Sequence, residues 1–167
     1  MNQQTAQAHS SETIHRKAVM ASMVALVTLG ALFSTVASAA ENLSSEKIIN
    51  ARQSHFETID KNMKQLGKAL NTSTPDWVNV RVLAEQSQQA ASGLKNAFPQ
   101  GSEDGSRAKS AVWSKPTQFN RLMAEMDQGF TEMLVAVNNQ DSRSAQQGLK
   151  QAGATCKSCH RQYRSLW

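Results

Sequence analysis

The chain has 167 residues, 40% of them hydrophobic, which suits one domain with a modest core. Its formal net charge of +5 at pH 7 is mild, and the sequence has no concentrated basic run with interleaved aromatic residues. This composition argues against a nucleic-acid-binding protein and is typical of charges that form solvated helix faces.

The first 40 residues are typical of an export signal. Two basic residues precede an apolar run over 18–36, and the small residues Ala37-Ser38-Ala39 form an A-x-A cleavage site. We predict a cleaved signal over 1–39, a mature domain over 40–167, export to the periplasm and no stable membrane association after cleavage. An uncleaved anchor is the alternative, because about 19 apolar residues can just span a bilayer. Cleavage removes two of 18 basic and one of 13 acidic residues, which leaves +4 on the mature chain.

Four segments of the mature chain place core-type residues alternately three and four apart, which predicts amphipathic helices. They cover 49–70, 77–98, 116–137 and 149–166. For the second helix we predict Thr74 as N-cap, Pro75 as first helical residue and a stop at Pro99. The fourth helix is predicted to be capped by Asp141.

Short links at 71–74 and 138–141 predict an all-α fold, an antiparallel four-helix bundle. The longer connection, 99–115, is rich in glycine and serine and is predicted to be a loop. Trp113 within it is either a lid over the end of the bundle or a cofactor contact.

The last predicted helix carries the two cysteines of the sequence, Cys156 and Cys159, and His160 follows directly. Two thiols three residues apart lie on one helix face and can form thioethers with the two vinyl groups of haem, while the adjacent imidazole reaches the iron from one side. We therefore predict one haem c, bound covalently through Cys156 and Cys159 near the C-terminal helix, with His160 as axial iron ligand.

Three other uses of these cysteines are weaker. A thioredoxin-like redox pair needs a strand leading into its helix, and none is visible in the sequence. Structural zinc needs four ligands, and the mature chain adds only the distant His55 to this trio. A disulfide would suit an oxidising compartment but would leave His160 without a purpose.

Arg52 stands within an otherwise apolar row of the first helix. A buried charge needs a partner, because an unpaired buried ion costs several kcal/mol. The haem propionates supply one; the alternative is that Arg52 lies near the helix start and extends to water.

Three stretches together resemble the cytochromes c′, which are exported four-helix haem proteins with the C-x-x-C-H motif on the last helix. They are RQSHF (52–56), VWSKPTQF (112–119) and CKSCHRQYR (156–164). The resemblance implies contacts to haem by eight residues: Cys156, Cys159, His160, Arg52, Gln53, Phe56, Arg164 and Ser106. It places Arg52 and Gln53 on the propionate side, joined by the loop near Ser106, and Arg164 beside the proximal imidazole. It also implies homodimers through the first two helices and an association with nitric oxide and electron transfer.

Phe56 matches the position over the sixth coordination site, where low-spin relatives have methionine. Phenylalanine has no lone pair for iron, and Met63 lies seven residues on, about 10 Å along the helix axis. His55 as a hidden ligand is a weaker alternative, since it is turned about 100° around the helix from its neighbour Phe56.

We therefore expect five-coordinate, high-spin iron and a non-enzymatic protein that binds diatomic gases, nitric oxide or carbon monoxide, or transfers electrons to a periplasmic redox partner. The alternatives are a low-spin, six-coordinate electron carrier of the same fold and, less favoured, a haem peroxidase. A peroxidase needs a distal acid–base group, which the first predicted helix does not supply.

Overall fold

The computed structural model describes residues 44–166. The predicted signal, the cleavage site and the alternative of an uncleaved anchor lie outside the described residues. The described part contains five helices: α1 (44–69), α2 (Trp77–Leu94), α3 (Ala111–Ser114), α4 (Pro116–Asn138) and α5 (Ser142–Tyr163). The four long helices confirm the predicted all-α four-helix bundle. None of the helices within 44–166 combines the length and the apolar content needed to cross a membrane.

The helix starts follow from capping residues. Asp141 caps α5 as predicted, since its side chain accepts a hydrogen bond from the backbone N–H of Ser144. Both predicted ends of α2 are wrong. The helix ends at Leu94, short of the predicted stop at Pro99, and Asp76, not Thr74, is the N-cap, whose Oδ1 accepts from the N–H groups of Val78 and Asn79. A carboxylate that accepts two of the unpaired N–H groups stabilises the first turn and also the positive end of the helix dipole.

Most of the predicted core positions are buried. On α4 the whole predicted row is buried, and Phe130, Met133 and Val137 are fully so. On α1 the row contains Arg52 at 4% exposure, and the structure adds Asn62, whose amide donates to Leu83 O and Gln86 Oε1. The core therefore accepts polar groups where a second helix offers acceptors.

Two glycines allow α4 and α5 to approach backbone to backbone. A Cβ at Gly129 would lie 2.5 Å from the nitrogen of Ala152, and one at Gly148 would lie 2.6 Å from the nitrogen of Met133. Only glycine permits this spacing. The close contact fixes α5, the helix that carries both cysteines, against the core.

The connection 99–115 includes the short helix α3 and closes against the C-terminal tail. The N–H of Lys109 donates to Tyr163 O, and the N–H of Ser165 donates to Arg107 O. Because α5 ends at Tyr163, the predicted core role of Leu166 is wrong; its side chain is 76% exposed.

Candidate functional site

A cavity of about 670 Å³, here called the haem cavity, lies between α1, α4, α5 and the 99–115 connection. All eight haem-contact residues expected from the sequence lie in its wall. From α1 come Arg52, Gln53 and Phe56, from the connection Ser106, and from the end of the chain Cys156, Cys159, His160 and Arg164. The fold thus brings together residues more than 100 positions apart.

Cys156 and Cys159 are free thiols, half-buried, on one face of α5. Burial raises the pKa of Cys156, and burial together with Cys156 raises the pKa of Cys159 to about 11. Both side chains are therefore protonated thiols at neutral pH in the protein alone. The thiolate, which is the nucleophilic and metal-binding form, is therefore the minor form of both residues in the protein without haem.

His160 is the one histidine among the cavity-lining residues of the described chain. The residue is exposed at the cavity wall, and partial burial of its imidazole, followed by the charge of Arg164, lowers the pKa of the ring. The neutral ring keeps a lone pair available for a metal ion. His55 does not line the cavity; its imidazole packs against Gly93 of α2, 2.7 Å from where a Cβ would stand, so the alternative of His55 as iron ligand is wrong.

Arg52 is buried, so the alternative that it extends to water is wrong. Its Nε donates to Ala97 O at 2.8 Å and its Nη2 to Ser102 Oγ at 2.6 Å, while both Nη atoms lie 3.4 Å from Ser102 O. The guanidinium also lies 4.1 Å from the centre of the Phe98 ring. Burial lowers the pKa of Arg52, and the charge of Glu103 acts in the opposite direction.

No carboxylate within 44–166 forms an ion pair with Arg52. The bonds to Ala97 and Ser102 satisfy much of its hydrogen-bonding capacity, and Glu103 acts on its charge only through space, without an ion-pair contact. A buried guanidinium at a cavity wall favours an anionic ligand group there. The haem propionates are groups of that kind.

Aromatic rings form a large part of the cavity wall. The Phe56 and Phe98 rings meet edge to face at 6.4 Å, Phe98 and Phe119 at 4.8 Å, and Phe119 and Tyr163 at 5.2 Å. Trp113 is not in the wall: its Nε1 donates to Phe98 O and Pro99 O, and it acts as the lid considered from the sequence. Apolar walls of this kind suit a large planar cofactor.

The remaining expected contacts are less tightly held. Gln53 and Arg164 are exposed where they line the cavity, and the Ser106 hydroxyl donates to Glu103 O and accepts from the N–H of Ala108. Sequence reasoning missed Ser102, which is 1% exposed and holds Arg52 in place. A serine in a Gly- and Ser-rich loop gives no signal of its own that it will be buried.

The alternatives to haem find no support in the described residues. Within 44–166 no strand leads into α5, as a thioredoxin-like site would require. The same residues contain no group of three or more histidine, cysteine, aspartate or glutamate side chains arranged to hold a metal ion.

A family model described as Cytochrome C′ matches residues 47–164. The chain belongs to the cytochrome c′ family. It is 29% identical over 125 residues to cytochrome c-554 of Cereibacter sphaeroides, which covers 71% of this chain and 81% of that protein.

Solved cytochromes c′ share the fold. The protein from Shewanella frigidimarina has a TM-score of 0.65 at 24% identity, covering 72% of this chain and 96% of that one. A ferrous variant from Alcaligenes xylosoxidans with bound NO has a TM-score of 0.66 at 20% identity, covering 74% and 97%.

As a cytochrome c′, the chain binds one c-type haem, and Cys156 and Cys159 are the cysteines near its C-terminus available for attachment. The cavity fits the group: two thiols and an imidazole on one wall, aromatic rings around them and an unpaired buried cation on α1. When bound, haem supplies an iron atom that is open to axial ligands and can change oxidation state.

Proposed function

We propose that this cytochrome c′ is an exported, non-enzymatic haem protein that binds nitric oxide and carbon monoxide at five-coordinate iron. The observation that carries the proposal is the composition of the cavity wall: it contains one imidazole, His160, and presents Phe56 from α1. One histidine provides one nitrogen ligand, and a phenyl ring provides none.

Met63 also lines the cavity, and its position supports this reading. Its Cε lies against Gly153, 2.8 Å from where a Cβ of that residue would stand. Gly153 comes three residues before Cys156 and seven before His160 on α5. The Met63 thioether is therefore held nearer to the N-terminal end of α5 than the His160 imidazole. Met123 and Met126 are buried members of the α4 core.

Phe56 also favours some gases over others. Oxygen bound to iron gains from a hydrogen-bond donor, which a phenyl ring lacks, whereas nitric oxide and carbon monoxide depend less on one. The bound NO in the Alcaligenes xylosoxidans relative supports the same ligand class. We expect gas binding without oxygen storage.

A low-spin electron carrier is the second candidate, because three thioethers lie in the cavity wall: Met63, Met123 and Met126. A movement of one of them toward the iron would give a six-coordinate site. A peroxidase is less favoured, since the guanidinium of Arg52 is engaged by Ala97 and Ser102 and is not free to assist peroxide cleavage.

The site and the helix surfaces also support proposals on place and assembly. The attachment motif and the export-type N-terminus support a periplasmic location, and the exposed haem-cavity residues Gln53 and Arg164 leave access for a redox partner. Val78 and Val82 on α2 are 78% and 46% exposed, which supports a homodimer that buries the first two long helices.

An absorption spectrum of the reduced protein, before and after addition of carbon monoxide, tests the proposal. Five-coordinate iron should give a large change in the Soret band at stoichiometric ligand. A spectrum that is low-spin at rest and does not respond would reject five-coordinate iron and favour the electron carrier.

A further inference from the structure

Two cavities follow one another along the junction of α1 and α5. On these helices the haem cavity is lined by members of 49–63 and 155–164. A second cavity of about 300 Å³, here called the outer groove, continues in the same direction. Its wall consists of Met63, Gly67, Asn71, Gln146, Leu149, Lys150 and Gly153.

Met63 is the one residue of the described chain that lines both cavities. Its methyl end occupies space that the missing side chain of Gly153 leaves free. A flexible side chain seated on a glycine therefore stands at the boundary between the two cavities. Methionine is unbranched and has three rotatable bonds, so this side chain can move while both helices stay in place.

The outer groove is open to solvent: four residues of its wall, Gly67, Asn71, Gln146 and Lys150, are exposed, whereas Leu149 is buried. A Cβ at Gly67 would meet no atom within 4 Å. At the end of the groove away from the haem cavity, the side-chain amide of Gln146 donates to Leu70 O at 2.6 Å and links the start of α5 to the end of α1. Buried Leu149 and half-buried Met63 give the groove an apolar floor, on which a small uncharged molecule can rest beside Gly67 and next to the haem cavity.

We propose that the outer groove is a second binding site for small uncharged gases, and that Met63 is the gate through which they pass into the haem cavity. The inference rests on the proposed function, because it supplies the ligand that the haem site binds. It assigns a role to the one thioether that lies between the two cavities.

Two substitutions separate the gate from the groove. Met63→Ala shortens the side chain at the boundary, and Gly67→Leu places a side chain in the groove at a position where a Cβ meets no atom within 4 Å. Gln65→Leu is the matched control, since Gln65 is an exposed α1 residue that lines neither cavity. All variants are made as the haem-loaded full chain.

Carbon monoxide association, measured by stopped flow and flash photolysis, gives the first readout. We expect Met63→Ala to accelerate association about threefold, equivalent to lowering a barrier by about 0.65 kcal/mol. Gly67→Leu should slow association in the wild-type background and cancel the acceleration in the Met63→Ala background. Gln65→Leu should leave it unchanged.

Xenon binding, measured by the ¹²⁹Xe chemical shift, gives a readout that does not depend on iron chemistry. Wild type and Gln65→Leu should bind xenon, and Gly67→Leu should lose a xenon site.

If Met63→Ala does not fold, Gly67→Leu alone still tests the groove by both measurements. Unchanged carbon monoxide kinetics and xenon binding in Gly67→Leu would overturn the inference while leaving the proposed function intact. A wild type that binds no carbon monoxide at equilibrium would instead reject the proposed function.

Discussion

Arg52 and Ser102 are joined by a hydrogen bond of 2.6 Å between Nη2 and Oγ, and both residues are buried. The same hydroxyl donates to Pro99 O at 2.8 Å. Ser102 therefore connects the buried charge of α1 to the turn that follows α2. This link holds the 99–115 connection against the part of the haem cavity that Arg52 lines.

Ser102→Ala should lower the free energy of unfolding by about 1.5 to 3 kcal/mol, the range for hydrogen bonds to charged groups. Urea unfolding of the haem-loaded protein measures it. Ser45→Ala is the matched control, because the Ser45 hydroxyl donates to the same connection, at Gly101 O, through a solvent-exposed hydrogen bond. A Ser102→Ala variant as stable as this control would mean that the link contributes nothing.

Arg52→Leu should destabilise the protein and lower its reduction potential. Loss of the guanidinium leaves buried acceptors on Ala97 and Ser102 unsatisfied, at about 1 to 3 kcal/mol each. It also removes a positive charge that favours the reduced haem over the more positive oxidised one. Spectroelectrochemical titration and urea unfolding measure the two effects.

Arg121→Leu is the control for Arg52→Leu, because Arg121 is exposed and pairs with Glu125 on the surface of α4. It should change neither quantity by much. A potential of Arg52→Leu equal to that of the control would remove Arg52 from the propionate side.

Cys156→Ala with Cys159→Ala should abolish covalent haem, whereas His160→Ala should keep haem attached and change the iron spectrum. The reason is that, in the proposed site, the thiols would supply the covalent bonds and the imidazole only an axial lone pair. Haem staining after denaturing electrophoresis checks the first outcome and absorption spectroscopy the second. Staining that survives loss of both thiols would contradict the assigned attachment.

Asp141 should make stability depend on pH in the acid range. Its hydrogen bonds with Ser144, first from the side chain and then from the backbone, hold the pKa of the carboxyl below its ordinary value of 3.8. Because the pKa is lower in the folded state, the carboxylate stabilises the fold above the unfolded-state pKa, and this contribution is lost as the pH falls through 3.8 and then through the folded-state pKa.

Unfolding of wild type and Asp141→Asn, measured from neutral pH to about pH 2.5, checks this. The variant keeps an N-cap without the charge, so the difference between the two proteins should be constant above the unfolded-state pKa and should shrink below it. Ser144→Ala should weaken the same pH dependence. A difference that stays constant across the acid range would rule the effect out.

The sequence predicted the features that depend on local chemistry and periodicity. The rows of core positions on the four long helices, the Asp141 cap and the α5 cluster of Cys156, Cys159 and His160 need only a helix period and a motif. Phe56 and Arg52 followed from their places in one row and from the family resemblance, and both line the haem cavity.

Features that depend on distant partners could not be predicted in this way. Ser102 is buried because Arg52, 50 residues away, needs an acceptor, and Asn62 is buried because α2 offers one. The α2 start was misplaced because Thr74 and Asp76 are both good caps, and only the fold shows which one accepts the N–H groups. Leu166 matched the helix period, but the tail turns at Tyr163 to pair with the 99–115 connection.

Phe56→Ala tests the distal assignment. Its ring is half-buried, lines the haem cavity and packs edge-on against Phe98. If the ring stands over the iron, it must move aside for a ligand. Its removal should then accelerate carbon monoxide association and raise affinity about tenfold for each 1.4 kcal/mol of steric cost relieved.

Phe130→Ala separates this effect from a loss of stability. Phe130 is fully buried on α4 and does not line the haem cavity, so its removal should cost about 3 to 5 kcal/mol and leave the association rate unchanged. Phe56→Ala should cost less stability, because its ring is already partly exposed, and yet change the rate more. Flash-photolysis rebinding of carbon monoxide to wild type and both variants, with urea unfolding of each, makes the comparison. Equal association rates in wild type and Phe56→Ala would mean that Phe56 does not cover the sixth position, and the preference for nitric oxide and carbon monoxide would then lose its structural basis.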